Sequence, residues 1–176
     1  LAGALGVKSV DQPYLVVVQH PISSEIDDSG RQMHETLAAV TQIGYQAFVS
    51  YPNSDPGNQK VIQAIEEYSP NPQMHAFRNI PDVAFVNLLR GAAVLVGNSS
   101  LGILEAPYLK LPTINVGRRQ MGRHHSENVF FVDHDRHDIT RQIRKHRPDV
   151  LICMGPTRTL SGNGYVGHPD HIASGE

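Results

Sequence analysis

The chain is poor in cysteine, has no surplus of either charge and carries no long apolar run. Its single cysteine, Cys153, cannot form an internal disulfide, which sets aside the disulfide-stapled secreted domains and fits a reducing compartment. A formal net charge of −2 gives no overall attraction for nucleic acid or anionic lipid. Neither a nucleic acid nor a membrane is therefore expected as a partner, and any bound anion must be held by a few placed donors. No apolar run approaches the roughly 20 residues that cross a bilayer. No basic, apolar leader opens these residues, so a cytoplasmic location is expected. An initiating methionine is also missing. The opening Leu1-Ala2-Gly3-Ala4-Leu5-Gly6 reads like the interior of something longer, so a fragment is expected, with a trimmed piece complete in itself as the alternative.

What is present is the balance of a globular protein: 40% hydrophobic and 18% charged residues in a chain of 176, enough for one domain with a full core. Five apolar runs of strand length recur, at Tyr14–Gln19, Gln46–Tyr51, Ala93–Gly97, Thr113–Val116 and Asn128–Val132, with a weaker one at Gln73–Phe77. Leu15-Val16-Val17-Val18 is apolar at every position, the pattern of a strand buried on both faces in a parallel sheet.

Between these runs the spacing is helical. Met33, Leu37, Val40 and Ile43 fall on one stripe and Gly44 follows as a stop. Val61, Ala64, Ile65 and Tyr68 form a second stripe, and Phe85, Leu88 and Leu89 a third after Pro81. Ile139 and Ile143 mark a last helix before Pro148. Strand and helix alternate, which predicts an α/β fold: a Rossmann-like parallel sheet flanked by helices. Residues 1–147 are read as this one domain. Residues 148–176, rich in Gly, Pro and His, are read as an irregular tail.

Ligands of such sheets collect at the carboxyl ends of the strands. Polar residues cluster there: Gln19-His20-Pro21, Tyr51-Pro52-Asn53, Arg78-Asn79-Ile80-Pro81, Gly97-Asn98-Ser99-Ser100-Leu101-Gly102 and Gly117-Arg118-Arg119-Gln120. The fourth is the sharpest. A strand runs into small residues and then a helix expected to include Glu105, whose free N–H groups and two hydroxyls suit a phosphate. Alternatively, Ser99 or Ser100 only caps that helix. Glu105, placed in the first turn, suits paired ribose hydroxyls or only the helix dipole. Pro107 makes the helix short or kinked. Arg119 on a basic loop with Arg118 and Arg123 is a diphosphate clamp or a solvated basic loop. His20 faces the cleft or packs.

Two apparent motifs are set aside. His124-His125 and His134-x-x-His137 lack further ligands at a recognised spacing, so no metal is expected. Gly162-Asn163-Gly164-Tyr165-Val166-Gly167 fits G-x-G-x-x-G, but no strand precedes it and Pro169 follows. A dinucleotide cofactor is therefore not expected, nor any other cofactor.

Taken in register, Gln19-His20-Pro21, Tyr51-Pro52-Asn53, Gly97-Asn98-Ser99-Ser100, Gly102-x-x-Glu105 and the run from Pro112 through Gly117, Arg119-Gln120 and Gly122-Arg123 resemble a known family. It is the C-terminal half of the UDP-N-acetylglucosamine 2-epimerases, in particular the hydrolysing branch. The resemblance covers roughly residues 5–145. It implies the glycosyltransferase-B architecture of two Rossmann-like domains, of which this chain is the second, holding UDP.

Carried over by position, the resemblance places His20 and Asn53 near the nucleotide, with His20 as a candidate catalytic group. It puts the backbone of Ile80 at the base, Ser99 and Ser100 at the diphosphate, Glu105 at the ribose and Arg119 in the phosphate region. Non-hydrolysing relatives usually carry Asp-Ser-Gly-Gly where Asn98-Ser99-Ser100-Leu101 stands here. The implied reaction converts UDP-GlcNAc and water to N-acetylmannosamine and UDP through a glycal, in sialic acid or related amino-sugar synthesis. Most of the acids and bases belong to the N-terminal half, so this polypeptide alone is expected to be inactive, and the full-length protein is expected to form homo-oligomers. A UDP-sugar glycosyltransferase of the same fold, a non-hydrolysing epimerase and a non-catalytic nucleotide-binding module are the alternatives. A relative acting on a diacetylated bacillosamine nucleotide would show nearly the same residues.

Overall fold

The computed structural model describes residues 1–11 and 13–146. Six strands form one sheet: β1 (Tyr14–Val18), β2 (Gln46–Ser50), β3 (Met74–Phe77), β4 (Val94–Gly97), β5 (Thr113–Val116) and β6 (Val129–Val132), in the order β3-β2-β1-β4-β5-β6. Every adjacent pair is parallel. The helices are α1 (Ala2–Leu5), α2 (Ser29–Ile43), α3 (Asn58–Tyr68), α4 (Asp82–Gly91), α5 (Leu101–Leu104) and α6 (Arg136–His146).

This is the expected Rossmann-like sheet. The apolar run of β1 is central, and all five of its residues are buried. Leu15 and Val17 join a core with α2, α3 and α6, while Tyr14, Val16 and Val18 join a second core with α4 and α5. A strand covered on both faces has no position for a polar side chain, which is why the run is unbroken. The weaker candidate is β3, a sheet edge where His75 and Ala76 are not buried.

The stripe of α2 (Met33, Leu37, Val40, Ile43) is buried as its spacing predicts, and Gly44 ends the helix in the left-handed conformation at φ 76°. Arg136 opens α6 with a forked bond to Glu35 on α2: Nη2 donates to Oε1 at 2.6 Å and Nε to Oε2 at 2.9 Å. No described helix is long and apolar enough to cross a membrane.

One expectation about the fold fails. The helix after β4 was to contain Glu105 in its first turn, but α5 has four residues and ends at Leu104. Glu105 caps its C-terminal end, and a 3-10 turn over Ala106–Leu109, with Pro107 at its start, takes over. Proline has no N–H for the helix ladder, so the run changes form there. The proposed domain end at 147 and the tail, with its glycine motif, lie outside the described residues.

Chain order fixes where a site can form. From β1 the chain moves outward to β2 and β3, then returns to place β4 on the other side of β1. The loops leaving β1 and β4 therefore diverge, and the crevice between them is where open parallel sheets bind ligands. His20 follows β1 and Asn98 follows β4. The topology thus brings together residues 78 positions apart.

Candidate functional site

The site is organised around Asn98, which is fully buried. Its Oδ1 accepts from the His20 N–H at 2.8 Å, and its Nδ2 donates to the His20 carbonyl at 2.8 Å. Its own carbonyl accepts from Arg119 Nη1 at 3.2 Å and from Gln120 Nε2 at 2.9 Å. Loops from β1, β4 and β5 thus meet on one residue.

The His20 ring is tied to the loop after β2. Its Nδ1 accepts from the Asn53 backbone N–H at 3.2 Å, so the neutral ring carries its proton on Nε2. Burial, and after it the Arg119 charge, push this imidazole below its ordinary value against the opposing Asp55 carboxylate. A neutral ring with Nε2–H is a hydrogen-bond donor, suited to an anionic oxygen. In this tautomer Nε2 cannot act as a base, and the lone pair of Nδ1 is taken by the Asn53 N–H. The Asn53 side chain turns away to Asp55, donating from Nδ2 to Oδ2 at 2.6 Å.

The phosphate candidates stand at the mouth of this cluster. Ser99 and Ser100 are half-buried. Ser99 Oγ accepts from the Leu101 N–H at 3.4 Å, a long bond that gives the capping alternative partial support. Ser100 occupies the N-cap position but makes no side-chain cap. With only four residues in α5, the helix dipole contributes little, so the anion-holding capacity rests on loop N–H groups, two hydroxyls and one guanidinium.

The basic loop divides. Arg118 pairs with Glu25, Arg123 donates to Gln120 Oε1 at 2.7 Å, and Arg119 alone of the three bonds to Asn98. Ile80 packs partly against the second core just before α4, and its backbone follows Asn79, a non-glycine residue at φ 41°. Glu105 is exposed.

Among the sequence candidates, the structure links His20, Asn53 and Arg119 by hydrogen bonds and leaves Ser99 and Ser100 adjacent through the chain. Ile80 and Glu105 stay on the rim. Sequence reasoning gave no role to Asn98 or Gln120, both buried polar residues. For Asn98 the available signal was a polar residue directly after the apolar strand β4, a position whose hydrogen bonds must be satisfied inside; Gln120, four residues past β5, carried no such signal.

The family model described as UDP-N-acetylglucosamine 2-epimerase matches residues 4–172. The chain belongs to that family. A UDP-N,N'-diacetylbacillosamine 2-epimerase (hydrolyzing) of Legionella pneumophila is 32% identical over 153 residues, covering 85% of this chain and 41% of the relative. A UDP-N-acetylglucosamine 2-epimerase of Neisseria meningitidis is 31% identical over 152 residues, covering 83% and 40%. The chain therefore spans about two-fifths of the length of these curated relatives. The crystal structure of the Methanocaldococcus jannaschii UDP-GlcNAc 2-epimerase, in complex with UDP-GlcNAc and UDP, superposes with a TM-score of 0.60 at 12% identity, covering 78% of this chain and 39% of that one. At that identity the likeness shows the fold, a Rossmann-like half of the glycosyltransferase-B architecture.

Proposed function

We propose that this chain is the UDP-holding half of a hydrolysing UDP-N-acetylglucosamine 2-epimerase. One observation carries the reading: a buried asparagine at the β1/β4 crevice fixes a histidine and an arginine beside two serines at the open end of β4. In the full-length enzyme the substrate's diphosphate would lie on Ser99, Ser100 and Arg119, with His20 and Asn53 beside it, the base at the Ile80 backbone and the ribose at Glu105. Loss of UDP from the sugar builds negative charge on the β-phosphate oxygen. A guanidinium, the serine hydroxyls and a neutral Nε2–H donor stabilise that charge as it forms.

Proton removal at C2 and addition of water to the glycal belong to residues of the other half, giving N-acetylmannosamine for amino-sugar synthesis in the cytoplasm by a homo-oligomer. The hydrolysing outcome is favoured by Asn98-Ser99-Ser100 and by the likeness to the hydrolyzing epimerase of Legionella pneumophila.

Calorimetric titration of the full chain with UDP and with uridine tests the phosphate cradle. UDP is expected to bind far better than uridine, and Arg119→Ala to weaken UDP by about 10- to 100-fold, the range of one lost charge-assisted contact. Equal binding of UDP and uridine would falsify the cradle. With the full-length enzyme and UDP-GlcNAc but no acceptor, free N-acetylmannosamine is expected. Sugar released only onto an added acceptor would mark a glycosyltransferase instead.

A further inference from the structure

We propose that Glu25 is a positioning residue: by holding Arg118, it fixes the neighbouring Arg119 in the orientation that meets the phosphates of the nucleotide. The proposal rests on the UDP reading above and adds to it a residue of another loop. Neither Glu25 nor Arg118 is among the spaced residues that carry the family resemblance, so the pair is assigned to this chain and not to its relatives.

Two adjacent arginines leave β5, and in the fold they go different ways. Gly117 donates its N–H to the Val132 carbonyl at 2.8 Å and turns the chain at φ 75°. The His134 ring stands against this turn, where a Cβ on Gly117 would lie 2.2 Å from its Nε2. Arg118 then reaches Glu25, 93 positions earlier in the chain, its Nε donating to the carboxylate Oε1. Arg119 Nη1 donates instead to the Asn98 carbonyl at 3.2 Å.

Glu25 is the fixed partner of the pair. Gln32, buried on α2, donates from Nε2 to Glu25 Oε2 at 2.6 Å and holds the carboxylate from behind. The Glu25 side chain is 16% exposed against 66% for Arg118, so the acid is set by the fold and the arginine is drawn to it. Burial works to raise the Glu25 carboxyl, and the bonds from Gln32 and Arg118 outweigh it, which leaves the group below its ordinary value and charged near neutral pH. Charge sets the consequence. Consecutive Cα atoms are about 3.8 Å apart, so a free Arg118 would bring a second guanidinium beside the first and repel it. Bound to Glu25, Arg118 is neutralised and turned aside, and Arg119 keeps its site alone. Glu25 stands five positions after His20 on the loop leaving β1. The pair therefore ties the His20 loop to the Arg119 loop at a second point, beside the one that Asn98 makes.

Glu25→Gln and Arg118→Gln in the full chain break the same contact with opposite changes of charge. UDP and uridine are titrated calorimetrically in about 0.15 M salt, where exposed charges more than roughly 8 Å apart are largely screened. Each variant is expected to bind UDP about 3- to 5-fold more weakly, the upper range of a partly exposed ion pair, with uridine changed less than about 2-fold. The double variant is expected to bind no more weakly than either single one. Both losses are expected to vanish in an Arg119→Ala background, because Glu25 acts only through Arg119. A general effect of charge gives opposite signs, Glu25→Gln tightening UDP and Arg118→Gln loosening it, and that result overturns the proposal. A loss that persists beside Arg119→Ala, an additive double variant, an equal loss for uridine, or no change overturns it too. Arg118 is exposed, so its variant strikes the contact without disturbing the core, and with its Arg119→Ala partner it decides the question if Glu25→Gln does not fold. If the unaltered chain binds UDP no better than uridine, the UDP reading fails and this proposal falls with it. If it does bind UDP and both variants match it, the role of Glu25 alone is lost.

Discussion

Around the carboxyl edge of the sheet, two groups of residues drawn from the same sequence motifs differ in the fold. His20, Asn98, Arg119 and Gln120 are half-buried or buried and joined by hydrogen bonds of 2.8–3.2 Å across three loops. Asn53 and Glu105 are exposed; the first turns its side chain to Asp55 and the second stands past the end of a four-residue helix. The inner group is held in place before any ligand arrives, so its geometry belongs to the fold. The exposed side chains have fewer fixed contacts with the inner group, and any ligand contact they make spends part of its energy on side-chain entropy. The motif residues are therefore of two kinds, those that set the shape of the cradle and those that add to it.

The hardest test of that difference is to strike the inner group where the backbone leaves no room. Gly97→Ala places a methyl group on the Val18 carbonyl at a φ that L-residues rarely adopt. A loss of roughly 3–5 kcal/mol in unfolding free energy is expected, together with loss of UDP binding. Chemical denaturation reads it, and a loss under about 1 kcal/mol would mean that the β1–β4 junction yields and that the inner group is not preset.

The comparison is sharpened by acid. His20 has its folded value lowered, so the unfolded chain takes up the proton first as the pH drops below about 6.5. Stability is thus unaffected above that value and declines as the pH falls from there toward the folded value. Burial lowers His134 as well, giving the same sign. A thermal midpoint that falls between pH 7.5 and 5.5 is expected, with a shallower fall in His20→Gln. An identical slope in the variant would show that His20 is not held neutral by its surroundings.

The smallest effect belongs to the rim. Glu105→Gln keeps the shape and one acceptor of the side chain while removing its charge, so UDP and uridine are both expected to weaken by about 3- to 10-fold with unchanged stability. A loss confined to UDP would count against the proposed ribose contact of Glu105 and for one to the phosphates.

Much of this was legible in the sequence, for definite reasons. The unbroken apolar run of β1 can only be a strand covered on both sides, and the stripes of α2 and α3 leave one choice of buried face. Edge strand β3 was the faintest because a half-covered strand needs fewer apolar residues. Candidate residues followed from the fold, since loops at one edge of such a sheet face one crevice. Pro107 correctly signalled a short helix, but Glu105 was misplaced because the signal does not say on which side of the break the residue falls: α5 ends at Leu104 and Glu105 caps its end.

The sequence alone determined the alternation of strand and helix, the parallel sheet, and the family to which its spaced motifs point, because periodicity and residue type are local properties that survive without coordinates. Only the tertiary structure decided which of the polar residues act together. Asn98 meets His20 through a strand order that returns the chain to the flank of β1, and Arg119 is separated from Arg118 and Arg123 by which partner each can reach. Hydrogen bonds between groups 21 to 78 positions apart depend on distance and direction in space, and neither is written in the order of the residues.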